Sequence, residues 1–199
     1  KDLVINLFPT PIKIVENKSF DNTKLIKHCQ KLSKHVERGG KNWLTQKVFN
    51  TLGTHNICND EKFFNLNKWV GKQVKSFANE LGFNNIDESK NVGWFNIYKK
   101  NDYQEWHNHN FNLVSAIYYL KTNGQSAKTY FKSPLPENPN TPQFNSDNPY
   151  TWKSYFVEPK NNNLVLFKSD LDHCVRTHQD DSTRITLSYN FFSGDSPSI

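Results

Sequence analysis

The C-terminal half of the chain, from Val92 to Phe192, is a succession of short β-like runs, alternating or continuously apolar, separated by polar turns. The runs are Val92–Tyr98, Ser115–Lys121, Thr129–Lys132, Trp152–Val157, Leu164–Phe167 and Arg184–Phe192. With 15 Phe, 8 Tyr and 5 Trp, the chain also has the aromatic content that strands favour. This half is therefore predicted to form a β-sandwich or barrel.

The N-terminal part shows the pattern of two amphipathic helices. The first follows cap residues at 21–23, and its apolar residues recur at three- and four-residue intervals until Gly39 and Gly40 end it. The second begins after Asp60 and carries one apolar face as far as Gly82. Both helices are expected to pack outside the sheet.

Prolines mark two further segments. Pro9 and Pro11 split the opening β-like runs Val4–Phe8 and Ile12–Val15, which predicts an edge strand or hairpin there. Residues 133–149 contain five prolines spread among asparagines, and such a segment cannot stay in a sheet for long. A long excursion of this kind inside a compact domain is typical of a functional loop or a disordered one.

Composition excludes several classes of protein. The net charge is +6 and the pI is near 9.1, but the lysines are scattered among asparagines, so a nucleic-acid-binding stripe is not favoured. Three cysteines at irregular spacing do not form a disulfide framework, which indicates a reducing compartment. No apolar run is long enough for a membrane span, and no secretory leader is visible. We expect a soluble, cytoplasmic protein.

Three histidines are candidate metal ligands. His107 and His109 occupy alternate positions, and in an extended segment this spacing points both imidazoles to one side of the backbone. His173 follows the apolar run Leu164–Phe167 and a polar turn. Strands that are distant in sequence face each other in a jelly roll, so His173 can supply a third ligand.

The last β-like run has an unusual polar face. Arg184, Thr186, Ser188 and Asn190 lie on one side of this strand, whereas its other side is apolar. Exposed strands of this chain would carry Lys or Glu instead. A planar guanidinium flanked by short hydrogen-bonding residues suits a carboxylate, which it binds with two parallel hydrogen bonds. We therefore predict a carboxylate-binding face.

Two tyrosines lie on strands that are predicted to border the same cavity. Tyr98 ends the run before the histidine pair, and Tyr119 lies in the run after it. A single tyrosine usually packs in a core. Here, however, both hydroxyls are in a position to reach the far carboxylate of a diacid.

Together these motifs resemble the 2-oxoglutarate/Fe(II)-dependent oxygenase superfamily. The resemblance rests on an ordered series, namely Tyr103–His109, Ser115–Leu120, Pro159–Phe167, His173 and Arg184–Asn190. The opening Leu7–Pro11 and the pair Gly39-Gly40 are similar to a bacterial and phage-associated branch that carries His-x-His in place of His-x-Asp. The resemblance covers most of the chain.

The resemblance implies a double-stranded β-helix, a jelly-roll or cupin-like fold that is mainly β with flanking helices. One domain would span residues 1–199, with helical support and edge strands in 1–90 and the jelly-roll core in 91–199. It implies Fe(II), 2-oxoglutarate and O2 as cofactor and co-substrates. The substrate would be a protein or peptide side chain, in similarity to prolyl hydroxylases, ahead of a nucleic acid or a free metabolite.

The resemblance also implies roles for individual residues. His107 and His173 would bind iron, and Arg184 would bind the distal carboxylate of 2-oxoglutarate. Further contacts in the co-substrate pocket would come from the predicted cavity residues Tyr98, Tyr119, Thr186, Ser188 and Asn190. Asn190 would face the metal.

One position departs from the superfamily pattern. The usual facial triad is two histidines and a carboxylate, whereas the middle position here is His109. This leaves three arrangements open: a three-histidine iron site, a two-histidine site with His109 turned away, or a site that prefers zinc. The alternatives to an oxygenase are a non-catalytic jelly-roll module that binds metal and a three-histidine metalloenzyme that does not use 2-oxoglutarate.

The remaining histidines are predicted to lie at the surface; these are His28, His35, His55 and His178. Cys174 should face away from His173 and serve in packing. Trp94, Trp106, Trp152 and the proline-rich segment are candidates for the walls or the lid of the cavity.

Overall fold

A computed structural model describes residues 2–83, 85–136 and 148–194. The two helices are α1 (Thr23–Leu32) and α2 (Phe64–Glu80). The strands are β1 (Ile12–Glu16), β2 (Phe49–Asn50), β3 (Ile86–Tyr98), β4 (Gln104–His107), β5 (Val114–Lys121), β6 (Thr129–Lys132), β7 (Ser154–Val157), β8 (Asn163–Lys168), β9 (His173–Val175) and β10 (Arg184–Ser193).

The strands form two antiparallel sheets. The major sheet has the order β1-β8-β5-β10-β3-β2, and the minor sheet has the order β4-β9-β6-β7. Side chains of both sheets share one apolar cluster, in which Phe131 of β6 meets Phe167 of β8 with ring centroids 5.0 Å apart. The molecule is mainly β, and the two facing sheets confirm the predicted jelly roll.

Both helices cover the other face of the major sheet, as predicted. Helix α2 buries a face with the predicted spacing, including Leu66, Val70 and Val74. These side chains join a core cluster with residues of β3, β5, β8 and β10. Each fully buried aliphatic side chain of this kind contributes about 1.5–3 kcal/mol relative to exposure, so this interface holds α2 on the sheet.

Helix α1 is shorter than predicted. It ends at Leu32 rather than at Gly39, and the next turn is closed by bonds from Lys34 N–H to Lys31 and from His35 N–H to Leu32. The apolar residues after Leu32 therefore do not continue the helix. Gly39 instead approaches the β2 region and donates its N–H to Asn50 at 2.8 Å.

Of the two N-terminal predictions, an edge strand or a hairpin, the structure has the edge strand, because β1 lies at the edge of the major sheet. Strand β1 begins at Ile12 and pairs with β8, whereas Val4–Phe8 belongs to no strand. Phe8 has a φ of 56°, which breaks the extended conformation just before Pro9. Val4 and Phe8 are exposed, so burial against a sheet does not hold this segment extended.

Three short strands, β2, β4 and β9, were not among the predicted runs. Residues 137–147, the centre of the proline-rich segment, lie outside the described residues. Across the described part of the chain, neither helix combines the length and the apolarity needed to cross a bilayer.

Candidate metal centre and anion pocket

His107 and His173 are brought together by strand pairing. His107 ends β4, His173 begins β9, and the two residues lie opposite each other in the antiparallel register. Their ring centroids are 4.2 Å apart. In each ring Nδ1–H donates to a nearby carbonyl, that of Glu105 at 2.8 Å and that of Leu171 at 3.0 Å. This orientation leaves both Nε2 atoms to face the cavity as ligands.

His109 lies with the other two histidines. Its backbone N–H donates to Ser169 O at 2.7 Å, which fixes the chain just after β4. The His109 ring centroid is 5.1 Å from that of His107 and 5.2 Å from that of His173. One ligand nitrogen from each ring lies within 4.8 Å of the others. The arrangement with His109 turned away is therefore not the one that the structure has.

All three imidazoles are neutral near pH 7. Burial lowers the pKa of His107 and lowers that of His109 to about 4, with a further contribution from neighbouring His107. Burial likewise lowers the pKa of His173 well below its ordinary range. Neutral imidazole is the form that binds metal, and it suits iron, zinc, copper and nickel. The three residues fit a divalent transition metal.

Arg184 provides a buried cation in the same pocket. The side chain is 0% exposed, and Nη2 donates one long hydrogen bond to Thr129 Oγ1 at 3.3 Å. Nε and Nη1 have no hydrogen-bond partner among the described residues. A buried guanidinium without a counter-ion carries a large desolvation penalty, so the site is built to receive an anion.

Two tyrosines enclose the Arg184 guanidinium. Its central carbon lies 4.7 Å from the Tyr98 ring centroid and 5.5 Å from that of Tyr119. Tyr119 donates its hydroxyl to Thr129 Oγ1 at 2.9 Å. Burial raises the pKa of Tyr98 to about 12 and also raises that of Tyr119, so both phenols stay protonated and can act as donors.

The predicted polar face of β10 lines the pocket. Thr186 and Ser188 accept from the Asn96 amide at 3.4 Å and 3.0 Å. Asn190 accepts from the Ser115 hydroxyl at 2.8 Å. The pocket runs over this floor from Arg184 to the three histidines, and both ends contribute to its lining. The residues that the sequence singled out as metal ligands or as β10 contacts therefore meet at one cavity, together with Tyr98. Tyr119 is not part of the lining, and its hydroxyl donates to Thr129 instead of facing the cavity.

Several other lining residues were not predicted. Trp43, Asn96 and Gln104 belong to the lining. Asn96 could have been found, because it shares a strand face with Trp94 and Tyr98 at a two-residue period. Trp43 offered no such signal, since it lies in a loop whose position depends on tertiary contacts.

The loop that carries Trp43 is tied to the metal end of the pocket. The carboxylate of Glu105 accepts from Leu44 N–H at 2.7 Å and from Thr45 N–H at 3.4 Å. The carbonyl of the same residue accepts from His107, as described above. Trp43 consequently lies beside the His107 ring, with centroids 6.5 Å apart.

Among the predicted cavity walls, Trp94 lines the pocket, whereas Trp106 and Trp152 do not. His178 is buried and not at the surface, which corrects the prediction. Its Nδ1 accepts from Ala127 N–H at 3.2 Å and its Nε2 donates to Ser182 O at 2.6 Å, so a closed turn surrounds it. His28 and His55 are half-buried and both bind the carboxylate of Asp60.

Comparisons with known proteins agree with this geometry. Residues 92–190 match the model of a family described as "Putative 2OG-Fe(II) oxygenase". No curated protein sequence matches the chain.

Solved structures with a similar fold include a prolyl-4-hydroxylase from Pseudomonas putida (13% identity, 92% of this chain and 93% of that chain, TM-score 0.62). Another is a prolyl hydroxylase from Trichoplax adhaerens in complex with a peptide fragment of hypoxia inducible factor (17% identity, 92% and 83%, TM-score 0.62). A third is HygX from Streptomyces hygroscopicus with nickel and 2-oxoglutarate bound (11% identity, 94% and 84%, TM-score 0.60). At these identities the similarity shows the fold.

Proposed function

Because residues 92–190 of this chain belong to the 2OG-Fe(II) oxygenase superfamily, we propose that the protein is an iron(II)- and 2-oxoglutarate-dependent hydroxylase acting on a protein or peptide side chain. In the overall reaction a substrate C–H group, 2-oxoglutarate and O2 give the C–OH product, succinate and carbon dioxide. When bound, the iron and its co-substrates supply the oxidising chemistry. The protein supplies binding and orientation.

The observation that carries the proposal is the buried guanidinium of Arg184 in the pocket of the three histidines, since it has no carboxylate partner among the described residues. A structural metal site would not need a buried cation with two unpartnered nitrogens nearby. A zinc hydratase would not need it either. A dicarboxylate that reaches from the metal to Arg184 satisfies both ends of the pocket, and the guanidinium fork matches its distal carboxylate.

Each residue then has a defined task. His107, His109 and His173 would hold the metal through one nitrogen each. Arg184 receives the distal carboxylate, and the protonated hydroxyl of Tyr98 is available as a second donor beside it. Tyr119 supports Arg184 through Thr129, to which both side chains donate. Thr186, Ser188 and Asn190 form the polar floor between the two ends.

Ligand-dependent melting tests the proposal. Mn(II) or, without oxygen, Fe(II) should raise the melting temperature, and 2-oxoglutarate should raise it further, since both bind only the native state. Ligand at about a hundred times its Kd contributes about 2.7 kcal/mol. For a domain of this size that is roughly 5–10 °C.

Two variants show which residues are responsible for the rise in melting temperature with each ligand. His173→Ala should abolish the metal effect, whereas Arg184→Met should keep the metal effect and lose the response to 2-oxoglutarate. Arg176→Met is the matched control, because Arg176 is exposed and lies over the Tyr130 ring, outside the pocket. Succinate formed aerobically by the iron-loaded protein provides the second readout. An intact protein that melts at the same temperature with and without both ligands would overturn the proposal.

A further inference from the structure

The lining of the pocket has a positive charge and no negative one. Within the described part of the chain, Arg184 is the one permanently charged side chain in the lining, and Lys, Asp and Glu contribute nothing to it. Asn96 and Gln104 add amide carbonyls without hydrogen-bond partners among the described residues, but a neutral amide does not alter the sum of charges. The protein itself therefore brings one positive charge to the pocket.

The three histidines would leave the charge of a bound metal ion unneutralised. An imidazole binds a metal through a ring lone pair, so ligation itself requires the neutral form. His109 stands where the facial triad of non-haem iron has a carboxylate, and the group of His107, His109 and His173 lacks the negative charge that this carboxylate brings. The full charge of a divalent ion therefore remains on the site.

The charges of the loaded pocket do not cancel. A divalent metal ion brings two positive charges and Arg184 brings one, whereas 2-oxoglutarate brings two negative charges. One positive charge is left over, and a carboxylate at position 109 would remove it. Because an uncompensated charge in a buried site is costly, the loaded pocket favours one further negative charge.

Three carboxylates act on the pocket from outside its lining. Asp172 and Glu105 are half-buried and act on His107, but each accepts hydrogen bonds from donors of its own. Water at these half-buried positions weakens their attraction for the metal end. Asp102 is buried, but it acts on Tyr98 at the Arg184 end and accepts from a backbone N–H there. None of the three replaces a carboxylate at position 109.

Trp94 supplies a hydrogen-bond donor at the metal end. Its side chain is 3% exposed and its ring meets the His109 ring edge-on at 5.9 Å, yet the indole N–H has no partner among the described residues. Buried donors without an acceptor are rare, because each one costs free energy. The metal-bound end of 2-oxoglutarate and a further anion both bring acceptor atoms, so this donor suits either of them. A further anion also meets no negative side chain in the described lining.

We infer that the metal end of the pocket binds, together with 2-oxoglutarate, a ligand with a single negative charge. This ligand is a small free anion or the carboxylate of the substrate. In both cases His109 determines the preference, because it replaces a charged ligand by a neutral one. The inference rests on the proposed function and deepens it, since it assigns a charge to the ligand that binds beside the co-substrate.

Azide is the probe for a small anion, and Co(II) replaces iron because its visible absorption reports on bound ligands. With saturating Co(II) and 2-oxoglutarate, azide should change this absorption in the wild-type protein while ultrafiltration shows that 2-oxoglutarate stays bound. Saturating 2-oxoglutarate occupies Arg184, so azide held by the guanidinium alone is excluded. The inference is overturned if azide leaves the absorption unchanged in a protein that binds Co(II) and 2-oxoglutarate, or if azide releases 2-oxoglutarate.

Displacement of azide distinguishes the two sources of the anion. N-acetylglycine carries one carboxylate on a larger molecule, and N-acetylglycinamide is its neutral counterpart. If the anion is the carboxylate of the substrate, the acid should displace azide at least about tenfold better than the amide, because only the acid brings the charge. Displacement by formate but not by N-acetylglycine assigns the site to a small free anion. Equal displacement by acid and amide, or displacement by neither acid nor formate, contradicts the inference.

Variants at position 109 test the charge itself. His109→Asp supplies the carboxylate of the usual triad and should lower the affinity for azide at least about tenfold, because the excess positive charge is gone. His109→Asn stays neutral and should keep this affinity within about threefold. Asn110→Asp is the matched control, since it adds the same charge at an exposed position outside the lining and should change the affinity less than about threefold.

The outcomes separate the two levels of the proposal. Equal affinity for azide in the wild-type protein and in a His109→Asp protein that binds Co(II) and 2-oxoglutarate overturns the inference alone. The same holds if His109→Asn loses as much affinity as His109→Asp, since the charge would then not be the cause. Should His109→Asp fail to bind Co(II), the comparison of acid and amide in the wild-type protein still decides. If the wild-type protein shows no melting response to Mn(II) and 2-oxoglutarate, the proposed function fails and the inference fails with it.

Discussion

At the scale of single residues, the burial of Arg184 lowers the free energy of unfolding of the ligand-free protein. Its guanidinium is fully buried, with one long hydrogen bond and contact with two tyrosine rings, and it has no carboxylate partner among the described residues. Arg184→Met should therefore raise the stability of the ligand-free protein. Replacing buried ions by apolar side chains of similar volume often stabilises a protein by about 1–4 kcal/mol.

The measurement is urea unfolding of the metal-free protein without 2-oxoglutarate. We expect a higher midpoint for Arg184→Met at an unchanged slope, and no change for Arg176→Met. A lower midpoint for Arg184→Met would show that the tyrosines compensate the buried charge in the absence of any anion.

His109 makes stability depend on pH. An unfolded histidine titrates near pH 6.5, whereas burial and the neighbouring His107 hold the pKa of His109 at about 4 in the folded state. Between these values the unfolded chain binds a proton that the folded protein does not bind, so acidification favours unfolding. The metal-free protein should thus lose about 2–3 kcal/mol through this residue as the pH falls from 7 to 4.

The free energy of unfolding, measured in EDTA at several pH values between 7 and 4, gives the slope of stability against pH and checks this loss. His109→Asn should flatten it in part, because His107 and His173 contribute in the same direction. His35→Asn, at an exposed position beyond α1, should leave the slope as it is. A slope that is the same in His109→Asn and in the wild-type protein would contradict the assignment.

At the scale of structural elements, Asp60 connects α1, the following loop and the start of α2. Its carboxylate binds His28 of α1 at 2.7 Å and His55 at 3.0 Å, and it also caps the turn before α2 by accepting from Lys62 N–H at 2.9 Å. Burial acts to raise the pKa of Asp60, but the hydrogen bonds from His28, Lys62 and His55 outweigh it and lower the pKa.

Asp60→Ala should consequently destabilise the protein by about 1–3 kcal/mol, through the lost cap and the unpaired groups. Because the folded pKa lies below the unfolded one, this contribution is present above about pH 4 and is lost as the pH falls through the folded pKa. Thermal unfolding of Asp60→Ala at pH 7 and pH 3 checks both statements. Asp170→Ala, which removes an exposed ion pair with Lys168, should have little effect at either pH.

The elements differ in how well the sequence predicts them. Strands β5, β8 and β10 have enough residues for a pattern to show, and their bounds agree with prediction within one residue. Strand β6 has only four residues, but all of them belong to the predicted β-like run Thr129–Lys132. Helix α2 begins at Phe64, three residues later than predicted, because Glu61–Phe63 forms a 3-10 turn. Strands β4 and β9 are too short for a pattern, and tertiary pairing alone makes them strands. The predictions for the end of α1 and for the segment before β1 are wrong. Turn hydrogen bonds end α1 at Leu32, and a positive φ at Phe8 interrupts the extended conformation before β1.

The candidate site was predictable to a similar degree and for related reasons. His107, His109, His173 and Arg184 are residue types whose spacing has chemical meaning in a β-rich chain, so the sequence alone singled them out. Trp43 lies in a loop and Thr129 begins an inner strand of the minor sheet; both reach the site through tertiary contacts that nothing in their neighbourhood along the chain indicates. The burial of His178 depends likewise on a closed turn.

At the scale of the whole molecule, the helices and the major sheet share one apolar core. Residues of α1 and α2 pack in the same cluster as residues of β3, β5, β8 and β10. We therefore propose that residues 1–199 fold as one domain, with 1–90 as support for the jelly roll. In this arrangement the helices cover one face of the major sheet, and the pocket lies on the other.

The central position of β10 in the major sheet has a consequence for the order of events during synthesis. This strand lies between β3 and β5 and joins them, yet it leaves the ribosome after both. A nascent chain that already contains all three histidines still lacks the guanidinium and the strand that unites the sheet. If Arg184 binds the co-substrate as we propose, an emerging chain cannot capture 2-oxoglutarate until β10 has been made and has joined β3 to β5.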